Sequence, residues 1–485
     1  MWRVSIRMCA ILAVVAVVCV STTVASQAGT VSPELERALT HRGTHADIAV
    51  IIHFHNPLDL QPLATGDRSQ RDNRVMLALK AHAKNNLEAI ASLLHEVQAS
   101  QVKDLWMSNA IAVTVPAFQI NKLASHGQVE RVDPDTFVQG GRPQRTPPSR
   151  TDSAGAPSLA VVGDSTVIHA LTVTTPALRS AKVGWNIAAV HAPDVWQRGY
   201  SGQGVVVASM DTGADLAHPD LRSKWRGGTN SWFDPHGEEA TPYDATGHGT
   251  QALGVMVGGP EIGVAPNARW ISVRLFNGKG RASMSDIHLA FQWLLDPDGD
   301  PATVDAPDVV NASWALMGRG TGHCTLEFND DIRVLRSAGI AVVFAAGNDG
   351  PMPATSNSPG NNPGVVSVGA IGRDMEVDRQ TSRGPSACTG SAFPTLMAPG
   401  VQVRTADLSH GGQPSYTTTS GSSLAAPHVS GVLALLAGAF PTASVAQLEG
   451  ALEHSANVGR IDALAAFTVL QDALRSASVG ATPNY

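Results

Sequence analysis

From Val183 onward the chain carries short, wholly apolar runs, each closed by small or polar residues and followed by a helix-like pattern. Val205-Val206-Val207-Ala208-Ser209-Met210, Val309-Val310-Asn311 and Ile340-Ala341-Val342-Val343-Phe344 are the clearest. A run that is apolar at successive positions suits a strand covered on both faces, as parallel strands between helices are. This constrains residues 183–485 to an α/β fold, a doubly wound, mostly parallel sheet with helices on both faces. In such folds the chemistry sits beyond the carboxyl ends of the strands.

Three candidates stand there or at helix starts. Asp211 follows the first strand directly, in Met210-Asp211-Thr212-Gly213. His248 lies in Gly247-His248-Gly249-Thr250, ahead of the apolar Ala252–Val257. Ser423 lies in Ser420-Gly421-Ser422-Ser423-Leu424, where small residues precede a helix expected over Val429–Phe440. Alone, each has an ordinary explanation: a turn aspartate, a surface histidine, an N-cap serine. Together they supply a complete chemistry. A serine hydroxyl is a poor nucleophile until a histidine takes its proton. A carboxylate then fixes the histidine tautomer and stabilises the imidazolium.

The stretches VVVASMDTGADLAHPDL (205–221), GHGTQALG (247–254), VVFAAGNDG (342–350) and SGSSLAAPHVSG (420–431), in that order, resemble the subtilisin-like serine proteases. The resemblance implies a secreted serine endopeptidase with the subtilisin-like fold, working through an acyl-enzyme. Ser423 would be the nucleophile, His248 the general acid–base and Asp211 its orienting carboxylate. Asn348 matches the oxyanion-hole asparagine. Ser313, Trp314 and Ala315, with Ala345, Ala346 and Gly347, would wall the primary specificity pocket. Asp349, beside Asn348, would favour basic residues before the cut. GVAPNARW (263–270), QWLL (292–295), SRGPS (382–386) and the cysteine pair are similar to the bacillopeptidase F-like branch.

The chain departs from the family pattern at several places. Gln251 replaces a second, non-catalytic histidine, Ser422 replaces threonine, and Ala315 replaces a glycine, which bears on specificity. The segment between His248 and Val264 is too short for the usual calcium loop. No cofactor is therefore expected to be required, and calcium is not supported at that position. A second acidic run, Asp296-Pro297-Asp298-Gly299-Asp300 with Asp305 and Asp308, spaces carboxylates as calcium loops do. Pro301 and Pro307 stand where an EF-hand needs glycine and glutamate, so a solvated acidic loop is expected.

Residues 27–138 read as a separate α+β domain. Asp47–Phe54 is a strand, Arg74–Ala99 a long helix, Leu105–Val115 a second strand, Ala117–Ser125 a short helix and Val129–Val132 a third strand. The domain has no nucleophile–base or metal spacing. His53 and His55 share one face of a strand and are expected at an edge or surface. Its strand–helix order resembles the family's inhibitory propeptides, which are ferredoxin-like, assist folding and occupy the active site until cut. Residues 139–182 read as a linker containing the processing site: Gly140 to about Ala160 is rich in Gly, Pro, Arg, Ser and Thr, and Val161–Lys182 has an ambiguous pattern.

Residues 1–26 have the layout of a secretory signal peptide: Arg3 and Arg7, an apolar run Met8–Val20, then Val24-Ala25-Ser26. That run is short of the ~20 residues a membrane anchor needs. Removal of the signal leaves Cys324 and Cys388, a natural disulfide pair in an oxidising compartment, the alternative being two buried thiols. The net charge of −7 argues against nucleic acid as a partner. Residues 183–485 hold 17 basic and 27 acidic side chains, so the negative charge belongs to the catalytic part. The expected molecule is an extracellular or periplasmic monomer without a membrane anchor. It would act on polypeptides and be inhibited by its own propeptide. Two other functions were weighed: an inactive binding protein on the same fold, and a peptide ligase or cyclase.

Overall fold

The computed structural model describes residues 29–41, 43, 45–63, 68–140, 183–316 and 322–479. The signal peptide with Cys9 and Cys19, and nearly all of the linker, lie outside the described residues.

The first unit contains β1 (Thr30–Val31), α1 (Pro33–Thr40), β2 (Asp47–Phe54), α2 (Arg68–Glu96), β3 (Ser100–Leu105), β4 (Ala110–Pro116), α3 (Ile120–Ala124), β5 (Val129–Pro134) and β6 (Phe137–Gln139). Its five-stranded sheet has the order β1-β5-β2-β4-β3. The run β2-α2-β3-β4-α3-β5 is the βαββαβ arrangement of ferredoxin-like folds. The single strand expected over Leu105–Val115 is instead the second half of a hairpin. Trp106–Asn109 makes the turn, with Asn109 in the left-handed region at φ 53°. Alternation in β2 divides the sheet's faces. Ile48, Val50, Ile52 and Phe54 pack with Ile90, Leu93 and Leu94 of α2, while Ile51 joins the core shared with the second unit.

The second unit contains α4 (Trp185–Ala189), α5 (Ala192–Gln197), β7 (Val206–Asp211), α6 (Pro219–Arg222), β8 (Trp232–Phe233), α7 (His248–Val257), β9 (Arg269–Arg274), β10 (Arg281–Ser283), α8 (Met284–Leu295) and β11 (Val309–Ala312). It continues with α9 (Asn329–Ser337), β12 (Ala341–Ala345), β13 (Val366–Ile371), β14 (Leu396–Pro399), β15 (Val403–His410), β16 (Gln413–Thr419), α10 (Ser422–Ala439), α11 (Val445–Ser455) and α12 (Ala463–Val479). Seven strands form one sheet in the order β14-β13-β12-β11-β7-β9-β8, and every pairing is parallel. Each strand feeds both faces. In β12, Ala341, Val343 and Ala345 face the core built around α10, whereas Val342 and Phe344 face α8 and α9. Among the described residues α10 alone is long and apolar enough to cross a membrane, and most of it is buried in this core.

The two units are docked. Leu105, Ala110 and Ala112 of the first share a core with Phe276, Ile287 and Phe291 of the second. Asp135 accepts from the backbone N–H of Ser285 at 3.0 Å and from its hydroxyl at 2.7 Å, adding an acidic cap to the start of α8. Strand β6 pairs antiparallel with β10, Phe137 opposite Ser283 and Gln139 opposite Arg281. The boundary expected after residue 138 therefore falls inside a strand. His53 is no surface histidine. Its Nε2 lies 3.2 Å from Asp133 and 3.4 Å from Glu327 of the second unit. Burial opposes its protonation, but those two carboxylates prevail and raise its pKa.

Candidate active site

Strand β7 ends at Asp211 because the chain must turn sharply at Gly213, where φ is 118° and a Cβ would stand 1.9 Å from the carbonyl oxygen of Tyr243. The turn brings Thr212 against Asp244. That buried carboxylate organises the loop leading into α7. One oxygen accepts from Thr212 Oγ1 (2.9 Å), Thr246 N (3.0 Å) and Gly247 N (2.9 Å). The other accepts from Thr250 N (3.0 Å) and Thr250 Oγ1 (2.8 Å). His248 is thereby presented at the first residue of α7. Its Nδ1 donates to Asp211 Oδ1 at 2.7 Å, the only direction open when a carboxylate is the acceptor. Burial alone would lower the pKa of His248, but Asp211 and Asp244 outweigh it and the net shift is upward.

Ser423 is the second residue of α10, which starts about two turns earlier than the helix expected from Val429. Pro427 did not stop the helix. Its missing N–H would have bonded Ser423 O, and that carbonyl accepts instead from Ser313 Oγ at 2.9 Å. Ser313 in turn accepts from Asn311 Nδ2 at 2.8 Å, and Asn311 Oδ1 accepts from Ser430 Oγ at 3.0 Å. This chain of bonds ties β11 to α10. Ahead of the helix, Gly421 has φ 149°; a Cβ there would stand 3.2 Å from Ser423 Oγ and 3.4 Å from Asn348 Nδ2. The serine and the amide therefore flank one small space. Asn348 Oδ1 accepts from Ser422 N at 2.9 Å, which leaves the amide N–H groups of Asn348 to face that space. The hydrogen bonds of the His248 ring and of Ser423 run to Asp211 and Ser313 respectively, and among the described residues none joins His248 to Ser423. Such contacts commonly tighten only with substrate in place.

The expected pocket residues lie on two neighbouring segments. Ala345 and Ala346 are buried and Gly347 half-buried beyond β12. Trp314 directs its indole into the core against Phe344, with ring centroids 5.4 Å apart, so only its backbone can face a cleft. Ala315 is half-buried. The carboxylate of Asp349 accepts from Asn357 Nδ2 at 2.5 Å. Gln251 donates to Asp407 at 3.3 Å. Cys324 and Cys388 form a disulfide.

Sequence reading missed Asp244, Ser422 and Asn311 as supports of the site. An Asx-turn signature preceded His248 in Asp244-Ala245-Thr246-Gly247 and could have exposed the first. The other two act through contacts 74 to 119 residues away in sequence, which no local pattern carries.

A buried carboxylate–imidazole pair at the end of a parallel strand and a serine at the start of a second helix fit an α/β serine peptidase. Comparison with known proteins agrees. The Subtilase family profile matches residues 202–481. Bacillopeptidase F of Bacillus subtilis (strain 168) is 32% identical over 413 residues, covering 80% of this chain but only 27% of that protein. Subtilisin E of the same organism is 32% identical over 307 residues, 62% of this chain and 71% of the relative. Subtilisin of Bacillus pumilus is 33% identical over 281 residues, 56% of this chain and 91% of the relative. The chain belongs to the subtilase family of serine endopeptidases.

Proposed function

We propose that the chain is a secreted serine endopeptidase made as a self-processing precursor. The observation that carries the reading is the 2.7 Å bond between His248 Nδ1 and Asp211 Oδ1, taken with a serine at the start of α10. Ser423 Oγ attacks the scissile carbonyl while His248 Nε2 takes its proton. The oxygen that becomes negative is met by Asn348 Nδ2 and the backbone N–H of Ser423, aided by the positive end of α10. His248 then protonates the leaving amine, and the acyl group stays on Ser423 as an ester. Water, deprotonated by the same imidazole, hydrolyses that ester and restores the serine. Asp211 keeps Nδ1 protonated throughout, so Nε2 is the nitrogen that carries protons.

The backbone of residues 313–315 and the segment 345–347 wall the pocket before the cut. The free edge at β10 receives extended chains by strand addition. In the precursor that edge is taken by β6, consistent with a first unit that blocks its own enzyme until cleavage within 141–182. Export rests on the amino-terminal signal. The mature enzyme acts as a monomer on polypeptides.

The test is a comparison of the unaltered chain with Ser423→Ala. The variant should remain one full-length chain, lose labelling by a fluorophosphonate and fail to cut casein. Self-cleavage and casein hydrolysis by the variant would sink the assignment.

A further inference from the structure

We propose that the acidic loop after α8 is a binding site for a hard divalent cation, calcium foremost, and that Lys80 of the first unit holds that site while the units are docked. The expectation of a solvated acidic loop holds for Asp298–Asp300 and Ala302–Val304, which are exposed, but not for the residue that opens it. Asp296, at the carboxyl end of α8, has a side chain only 2% exposed. Its Oδ2 pairs with the Lys80 ammonium, and its Oδ1 is buried with no hydrogen-bond partner. Asp296, Asp298 and Asp305 each offer one oxygen, and these atoms lie within 4.8 Å of one another. Lys80 also donates to the carbonyl of Gly299 at 3.4 Å, so the ammonium lies among carboxylate and main-chain oxygens together.

The other polar neighbours do not neutralise the cluster. Asn230 Nδ2 donates to Asp305 Oδ2 at 3.0 Å, and Thr303 Oγ1 donates to Asp298 at 2.9 Å, but both are uncharged. Arg226 donates to the main-chain oxygen of Asp305 and to that of Asn230, rather than to a carboxylate. The Lys80 ammonium, with the Arg226 guanidinium near Asp305, stands against three converging carboxylates, one of them taken out of water. Such a group is costly unless paired. Carboxylates joined by a backbone carbonyl are the donor set that hard cations choose, with water completing the shell. The loop's prolines rule out an EF-hand but not this geometry, since the oxygens converge from both ends of a 10-residue loop, 296–305.

Lys80 reaches the loop from α2, with its ammonium 5.4 Å from the centre of the Trp106 ring. Both residues belong to the first unit. Its departure would take away the resident cation and uncover the cluster together. That exchange rests on the reading of the first unit as a releasable propeptide, whereas the site itself does not.

Terbium is the probe, because Trp106 stands close enough to sensitise its emission. The full chain carrying Ser423→Ala keeps the units joined. Adding Lys80→Ala, or Lys80→Met to keep the packing of the stem, should lower the terbium concentration for half-maximal emission by about tenfold or more. Calcium should displace the terbium, and Asp298→Asn with Asp305→Asn should abolish the gain. An equal response with and without Lys80, or a gain that survives loss of Asp298 and Asp305, would overturn the proposal. The emission requires neither cutting nor catalysis, so its failure is separate from any failure of the peptidase reading.

Discussion

Ser313 Oγ donates at 2.9 Å to the carbonyl of Ser423, the acceptor that Pro427 leaves without its helical donor. A residue expected only as a pocket wall therefore completes the first turn of α10 and fixes the backbone of Ser423, the proposed nucleophile.

Ser313→Ala should cost about 1–2 kcal/mol, the price of an unsatisfied carbonyl. Adding Pro427→Ala restores an N–H at the right position and should recover most of that loss. Urea unfolding of the two single variants and the double variant checks this. Simple additivity of the two changes would show that Ser313 acts elsewhere.

Asn348→Ala should lower kcat by about 100–1,000-fold and leave KM nearly unchanged, because the amide meets charge that develops only in the transition state. Asn348→Asp keeps the acceptor that holds Ser422 N but supplies no donor, so it should be equally damaged. Steady-state kinetics on one peptide substrate decides. A loss confined to KM would assign Asn348 to ground-state binding.

The pH profile should show an acid limb with its midpoint above 6.5. His248 must be neutral to take the serine proton, and its pKa is raised above that of an ordinary histidine. Burial works against this, but the carboxylates of Asp211 and Asp244 prevail. The same upward shift has the opposite effect on stability. His248 contributes fully below its unfolded pKa, and the contribution is lost as pH rises through the folded value. Asp244→Asn removes one negative neighbour and should move the acid limb of kcat/KM downward. An unmoved midpoint would leave Asp211 alone responsible.

The sheet of the second unit and the pairing of Asp211 with His248 were legible because each depends on short contiguous runs. Val205–Met210 is apolar at successive positions, and Asp211, His248 and Ser423 each sit in a distinctive local setting. The supports were not legible because they are formed by closure of the chain. Glu327 meets His53 across the docked units, and His288, which it also contacts, has a pKa raised to about 10 despite complete burial. The helix expected from Val429 begins instead at Ser422, ahead of Pro427. A serine 110 residues away had already supplied the missing bond. The acidic loop was read as solvated because nothing near Asp296 in sequence points to Lys80, 216 residues earlier.

If the first unit is the inhibitory propeptide proposed above, the pairing of β6 with β10 makes it a tethered competitor. While the chain is intact, residues 137–139 are presented to that edge at a local concentration on the order of millimolar, whatever the bulk dilution. A peptide from outside must exceed that figure or fit better. Cutting the tether alters none of the contacts in the pair; it makes the same fit depend on how much free segment remains in solution. Inhibition by this strand is therefore set by dilution volume as well as by chemistry, and should fade faster in a dilute medium than in a crowded one.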